Sequence, residues 1–300
     1  MERFSVQRVG IVGLGLLGGS IARAARQRLP GVELIGFDAN EDVRRRAVAG
    51  SVIDDAPDSL DGLSRAEFVV VCVPVSAVAA IVERLARGNP RATVTDVASS
   101  KQSVIRMLAG RLPPGFAFVP AHPMAGGEKG GLDAGRADLF EGKSCLITPT
   151  NATPADATAR VETFWRSLGA TPQRSDPATH DRMVALTSHL PHLLAFALVE
   201  NLAFDRPESR DVAPFIGRSL DEQIRLASSE PAVWASIFEI NASELLAQLE
   251  RFQRRLADWR DLIAHAPAGL SERLAQTTRT ARAFAFAKHR SEEVECASTR

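Results

Sequence analysis

The chain has 300 residues, which at ~150 residues per domain means about two domains. Its 45% hydrophobic and 24% charged residues are the balance of a soluble protein with a buried core. Lys+Arg and Asp+Glu both number 36, so net charge is zero, which excludes the electrostatic footprint of a nucleic-acid or anionic-membrane binder.

The first half alternates short β-branched runs with helical patterns. Arg8–Gly13 predicts a strand, Gly18–Arg28 a helix, Glu33–Phe37 a second strand and Glu41–Ala49 a second helix. Phe68–Val73 and Thr93–Val97 follow as strands with the helical stretch Ser76–Ala86 between them. Phe116–Pro120 and Ser144–Thr148 are further strands, and a helix over Pro154–Leu168 with a short strand at Thr171–Arg174 closes the domain. Continuous apolar strands joined by helical crossovers predict a mostly parallel sheet covered on both faces, a Rossmann-like α/β arrangement. After Asp176 no strand run remains. Long amphipathic helices are expected over Pro177–Phe204, Asp211–Ser228, Ala232–Ala264 and Gly269–Arg290, with Pro191 kinking or splitting the first. The predicted organisation is a dinucleotide-binding domain over 1–175, an all-α domain over 176–290 and a frayed polar tail over 291–300. The helix over Ala232–Ala264 is longer than one small domain needs, so part of it is expected to pack against a second subunit.

Two stretches imitate membrane signals. Arg3, Arg8 and the apolar run Val9–Ala22 resemble a secretory leader, but Gly10, Gly13, Gly15, Gly18 and Gly19 interrupt it. Phe68–Val82 contains Pro74 and is shorter than the ~18 residues a spanning helix needs. Cys72, Cys145 and Cys296 are odd in number and irregularly spaced, which argues against a disulfide framework and a cysteine-based zinc site. The expected home is a reducing cytoplasm.

Gly13-Leu-Gly15-Leu16-Leu17-Gly18 leaves the first strand and opens the first helix. A pyrophosphate needs such glycines for the tight turn and for close backbone approach, and the helix start adds free N–H groups and a positive dipole end. Asp38, at the end of the second strand, is placed to accept from a ribose 2′-OH and to repel a 2′-phosphate, so NAD is favoured over NADP. Val73 and Pro74, at the next strand end, are expected to border the same cofactor.

Asp96-Val-Ala-Ser99-Ser-Lys101 and His122-Pro-Met-Ala-Gly-Gly-Glu128 leave neighbouring strands on the cofactor side. With Gly13–Ser20, Ser188-His189-Leu-Pro-His192, Gln223-Ile-Arg225-Leu-Ala, Pro231-Ala-Val-Trp234 and Asn241, the sequence from Arg8 to Arg290 resembles the prephenate/arogenate dehydrogenase family of tyrosine biosynthesis. That resemblance implies a nucleotide-binding domain followed by a helical dimerisation domain, a homodimer, and NAD-dependent oxidative decarboxylation of prephenate to 4-hydroxyphenylpyruvate. It implies that His122 is the catalytic histidine on the ring hydroxyl, with Ser99 beside it and the nicotinamide. Arg225 would bind the ring carboxylate, His192 and His189 would lie near the substrate side chain, and Glu128, Trp234 and Glu222 would line the pocket. Departures from the family pattern at Gly127, Glu222 and Arg218 fall near the side-chain end, where prephenate and arogenate differ.

Other readings of the same residues stand beside these. His180, His189 and His192 could be metal ligands by spacing, but no cysteine accompanies them and no metal is expected. Arg225 could pair with Glu222 at i, i+3 on a solvated face, and His189 and Trp234 could be core. Arogenate or both cyclohexadienyl substrates are an alternative for the substrate. A β-hydroxyacid or imine reductase would commonly use a helical lysine, and none lies between Lys143 and Lys288. A non-catalytic NAD-sensing protein would need neither His122 nor Arg225.

Overall fold

A computed structural model of the chain describes residues 4–127, 129–205 and 212–298, the last twelve by their backbone. Five parallel strands form the main sheet: β1 (Arg8–Val12), β2 (Glu33–Phe37), β3 (Phe68–Val71), β4 (Thr93–Asp96) and β5 (Phe118–Val119), in the order β2-β1-β3-β4-β5. The crossovers are α1 (Leu16–Arg28), α2 (Glu41–Ala49), α3 (Val75–Gly88) and α4 (Gln102–Leu108). Strand β3 explains why its sequence is continuously apolar. Phe68 and Val70 enter one buried cluster with Ile11, Ile21 and Leu34, while Val69 and Val71 enter another with Val78, Val82 and Val94. Strand order reverses between β1 and β3, and a ligand belongs outside the carboxyl ends of such strands.

Of the last expected strands, Phe116–Pro120 joins the sheet as the short β5, but Ser144–Thr148 does not continue it. At Pro120, which has no N–H to donate, the chain leaves it. β6 (Ala121–Pro123) then pairs antiparallel with β7 (Ser144–Ile147), and β8 (Thr171–Arg174) pairs parallel with β7 in a separate three-stranded sheet. The Pro120 carbonyl accepts from Thr148 N at 2.9 Å, tying the bend to the end of β7. α5 (Ala155–Ser167) buries Val161, Phe164 and Trp165 in the same core as Phe68.

Asp176 caps the next helix, its carboxylate accepting from Thr179 N at 2.9 Å, with Pro177 in the first turn. α6 (Pro177–Val184) passes through a π-turn at Ala185–His189 into α7 (Leu190–Asp205). Pro191 accounts for the irregularity: it cannot donate to Thr187, and its ring would clash with that carbonyl in a regular helix. Of the apolar stretches it is Pro177–Ala203, not Val9–Ala22 or Phe68–Val82, that is long and apolar enough to cross a bilayer, with a mean hydropathy of 1.4. Buried His180, Asp181 and His189 within it, all hydrogen-bonded to neighbouring elements, mark it as a helix of a folded domain.

Two expected helices are shorter than their patterns. Where Asp211–Ser228 was expected helical, a 3₁₀ turn at Ala213–Phe215 precedes α8 (Arg218–Ala227), and Asp211 lies outside the described residues. The run Ala232–Ala264 is two helices, α9 (Pro231–Ile240) and α10 (Ala242–His265), divided at Asn241. The Asn241 side chain is buried and donates to the Asp181 carbonyl at 2.9 Å, a tertiary bond that competes with continuing the helix. α11 runs from Leu270 to Ser298, past the Ser291 where a frayed tail was expected. The sequence there is rich in good helix formers. The chain divides into two compact units, Met1–Ala242 and Ser243–Arg300. The change to an all-helical pattern at Asp176 thus falls inside the first unit, where Asp181 bonds tie α6 to the turn before α4.

Candidate active site

The glycine loop is built as a phosphate-binding turn requires. Gly13 has φ +88°, and a Cβ there would meet the Cys72 carbonyl at 2.3 Å; one on Gly18 would meet the Gly13 carbonyl at 1.9 Å. At Gly15, by contrast, a Cβ would meet nothing within 4 Å, so the loop has room on its outer side. Gly15 also sits at the N-cap of α1, whose first turn carries no acidic residue, leaving a site suited to an anion. Asp38 is half-buried, with Oδ2 accepting from Leu14 N at 2.8 Å and Oδ1 from Asn40 N at 2.9 Å. It is therefore fixed against the same loop. Val73 borders Gly13, and Pro74 stands exposed before α3. Loop room, helix start and anchored carboxylate together fit a dinucleotide with a free ribose 2′-OH.

His122 is half-buried at the centre of β6, paired with Leu146. The strand is pinned to β4 through Ala121, whose N donates to Asp96 Oδ1 at 3.1 Å and whose carbonyl accepts from Lys101 Nζ at 2.7 Å. The loop after it returns to the cofactor side, since a Cβ on Gly127 would lie 3.3 Å from the Leu16 side chain. Burial, with repulsion from its cationic neighbour Lys101 and from His180 and His189 whenever they are protonated, holds the His122 pKa well below the ordinary histidine value. The ring is thus neutral at neutral pH.

Behind His122 stands a chain that sequence reading did not find. His122 Nδ1 lies 2.9 Å from His180 Nε2, and His180 Nδ1 lies 2.7 Å from Asp181 Oδ1. Asp181 also accepts from Ser100 Oγ at 3.0 Å, Lys101 N at 2.8 Å and Gln102 N at 2.9 Å. Although burial alone would raise it, these donors hold its carboxyl below the ordinary value. In the sequence His180 stood out only as a possible metal ligand; among the described residues no group of three His, Cys, Asp or Glu is placed to hold a metal ion. Ser100, rather than its neighbour Ser99, enters this network; Ser99 is half-buried beside it.

On the other side, the π-turn brings His189 inward. Asn241 Nδ2 lies 3.2 Å from its Nδ1, and burial lowers the His189 pKa to about 4. His192 donates from Nδ1 to the Ser188 carbonyl at 2.9 Å and stacks on Trp234, with centroids 3.6 Å apart. Burial lowers its pKa too, assisted by the nearby Arg225. Arg225 Nε donates to Glu222 Oε2 at 3.3 Å, and both side chains are about half exposed. The His189 and Trp234 ring centroids are 6.3 Å apart, and Trp234 in turn stacks on His192, the histidine whose electrostatic surroundings include Arg225. Trp234 packs against a histidine of this chain as well as Phe238, and Arg218 is exposed at the start of α8. Glu128 lies outside the described residues.

Two family descriptions match this chain: "Prephenate dehydrogenase, nucleotide-binding domain" over residues 21–173 and "Prephenate dehydrogenase, dimerization domain" over 176–280. The chain belongs to the prephenate dehydrogenase family. It is 35% identical to a cyclohexadienyl dehydrogenase of Zymomonas mobilis over 86% of this chain and 89% of that one. It is 32% identical to a prephenate dehydrogenase of Bacillus subtilis over 82% of this chain and 67% of that one. A solved prephenate dehydrogenase from A. aeolicus, in complex with hydroxyphenyl propionate and NAD⁺, superposes with a TM-score of 0.86 at 31% identity, covering 93% of this chain and 99% of that one. The first family match begins at Ile21, after the glycine loop, so the loop's assignment stands on its own geometry.

Proposed function

We propose that this chain is an NAD-dependent oxidoreductase that converts prephenate by oxidative decarboxylation to 4-hydroxyphenylpyruvate. The observation that carries the reading is His122: a neutral imidazole whose following loop reaches the dinucleotide turn and whose surroundings lead to Arg225. Gly13, Gly15, Leu16, Leu17 and Gly18 would hold the pyrophosphate, Asp38 the adenosine ribose, and Val73, Pro74 and Ser99 would border the rest of the cofactor. When bound, NAD⁺ supplies the hydride acceptor.

His122 takes the proton of the ring hydroxyl as that carbon loses its hydride. The ketone formed there draws in the electron pair of the bond to the ring carboxylate, CO2 leaves, and the ring becomes aromatic. His122 then returns its proton to the phenolate oxygen. General acid–base help of this kind contributes about 10²–10⁴-fold. Arg225 orients the ring carboxylate, a task a guanidinium performs by paired hydrogen bonds; Glu222 aims the guanidinium, and His189, His192 and Trp234 wall the side-chain end.

The exposed Met183, Leu186 and Leu198 of α6, the π-turn and α7 are apolar faces that a second copy would cover, so the working form is a homodimer through the helical domain. Free Cys72 and Cys145, with burial raising both thiol pKa values, suit a reducing cytoplasm.

The test is absorbance at 340 nm with purified protein, measuring kcat/KM for prephenate and arogenate with NAD⁺ and with NADP⁺. NADH formation with prephenate, matched by CO2 release, is expected. No NADH from either substrate would end the reading, and a higher kcat/KM with arogenate would reassign the substrate.

A further inference from the structure

We propose that His180 and Asp181 are positioning residues that hold His122 in a single tautomer, with the hydrogen on Nδ1 and the Nε2 lone pair free for the substrate hydroxyl. The inference rests on the reading of His122 as the base and extends it to two buried residues behind that histidine.

The assignment follows from counting donors. Asp181 receives Lys101 N–H on Oδ1 and Gln102 N–H on Oδ2, backbone donors that cannot accept, and Ser100 Oγ–H on Oδ2, so its carboxylate is an acceptor on both oxygens. His180 Nδ1, 2.7 Å from Oδ1, must therefore donate. In a neutral imidazole the other nitrogen is then a lone pair. His180 Nε2, 2.9 Å from His122 Nδ1, accepts, and His122 Nδ1 must carry the hydrogen. With one hydrogen on each ring no other arrangement leaves every contact satisfied. The lone pair of His122 Nε2 is what remains for chemistry. This is the logic by which a carboxylate orients a base in a hydrolytic triad, extended by one imidazole.

The position of the pair is over-determined. His180 and Asp181 are each 1% exposed. Asp181 faces the turn before α4, while His180 faces β6, so adjacent residues of α6 join the two elements that carry Ser99 and His122. Asn241 adds a third tie through its bond to the Asp181 carbonyl. The low pKa of Asp181 agrees with a carboxylate that stays ionised throughout the cycle.

The test combines ¹⁵N NMR of histidine-labelled, NAD⁺-saturated full-length protein with kinetics of His180→Phe, His180→Gln and His122→Asn. In the wild type, His122 should give the signals of the Nδ1–H tautomer, assigned by their loss in His122→Asn. His180→Phe keeps the ring's bulk but offers no acceptor; kcat should fall about 10²-fold, with prephenate KM and NAD⁺ affinity within about twofold. His180→Gln offers a carbonyl to His122 Nδ1 and should recover about tenfold of that loss. An Nε2–H tautomer in the wild type would overturn the proposal, and so would wild-type kcat in His180→Phe when His122→Asn is inactive. Full turnover by His122→Asn would instead remove the base reading, and the NMR tautomer, which needs no turnover, would still decide the geometry.

Discussion

Lys101 Nζ lies 2.6 Å from Asp96 Oδ2 with both side chains fully buried, and together the two residues hold both peptide groups of Ala121, one residue before His122. A buried pair of this kind is stabilised little by its own attraction, because both charges give up water, but removing one partner leaves the other uncompensated. Lys101→Met should therefore lower unfolding stability by about 3–5 kcal/mol. It should also lower kcat, since β6 loses the bond that sets the depth of His122. Urea unfolding followed by circular dichroism checks the first effect. An unchanged unfolding midpoint would mean that Asp96 needs no cation there.

Strand and helix positions in the first half were legible because both sheet faces are buried and the apolar runs are unbroken. The glycine loop was legible because its turn tolerates no Cβ at Gly13 or Gly18. The bend at Pro120 was not, since the choice to leave the sheet depends on Asp96 and Lys101 capturing Ala121 from a distance in sequence. The break at Asn241 was hidden for the same reason: its amide partners are Asp181 and His189, some fifty to sixty residues away. His180 carried one weak signal, its place among the histidines that could have been metal ligands, and Asp181 carried none. Their meaning appears only once β6 lies alongside.

Arg225→Ala should chiefly raise the prephenate KM, by about 10–100-fold, as expected for loss of a charge-assisted carboxylate contact. Because Glu222 pairs with the guanidinium at 3.3 Å, Glu222→Gln should produce a smaller rise in the same direction. Steady-state kinetics at saturating NAD⁺ separate KM from kcat. A normal KM in Arg225→Ala would return the residue to a solvated helix face.

Asp38→Asn should shift cofactor preference. The carboxylate is fixed by Leu14 N and Asn40 N, and Arg44 Nη1 donates to the Asp38 carbonyl at 2.8 Å. Removing the negative charge while leaving Arg44 beside it lifts the repulsion toward a 2′-phosphate. The ratio of kcat/KM for NAD⁺ over NADP⁺ should fall by about tenfold or more. An unchanged ratio would place the ribose elsewhere.

Acid should destabilise the fold through His189. Burial outweighs the pull of Asp181 and lowers its pKa from 6.5 to about 4, and protonating Nδ1 would destroy its role as acceptor from Asn241 Nδ2. Between those two values the unfolded chain binds more protons than the folded one, so stability rises with pH across this window. The contribution is fully present above about pH 6.5 and is lost as pH falls toward 4, up to about 3 kcal/mol from this group. His189→Asn keeps an oxygen acceptor for Asn241 without the titration, so its unfolding free energy should fall less than the wild type's between pH 7 and pH 4.5, by about 2–3 kcal/mol. His122 and His192, also shifted down by burial, are present in both proteins. Parallel urea curves for the two proteins across that range would show that His189 is not held neutral by the fold.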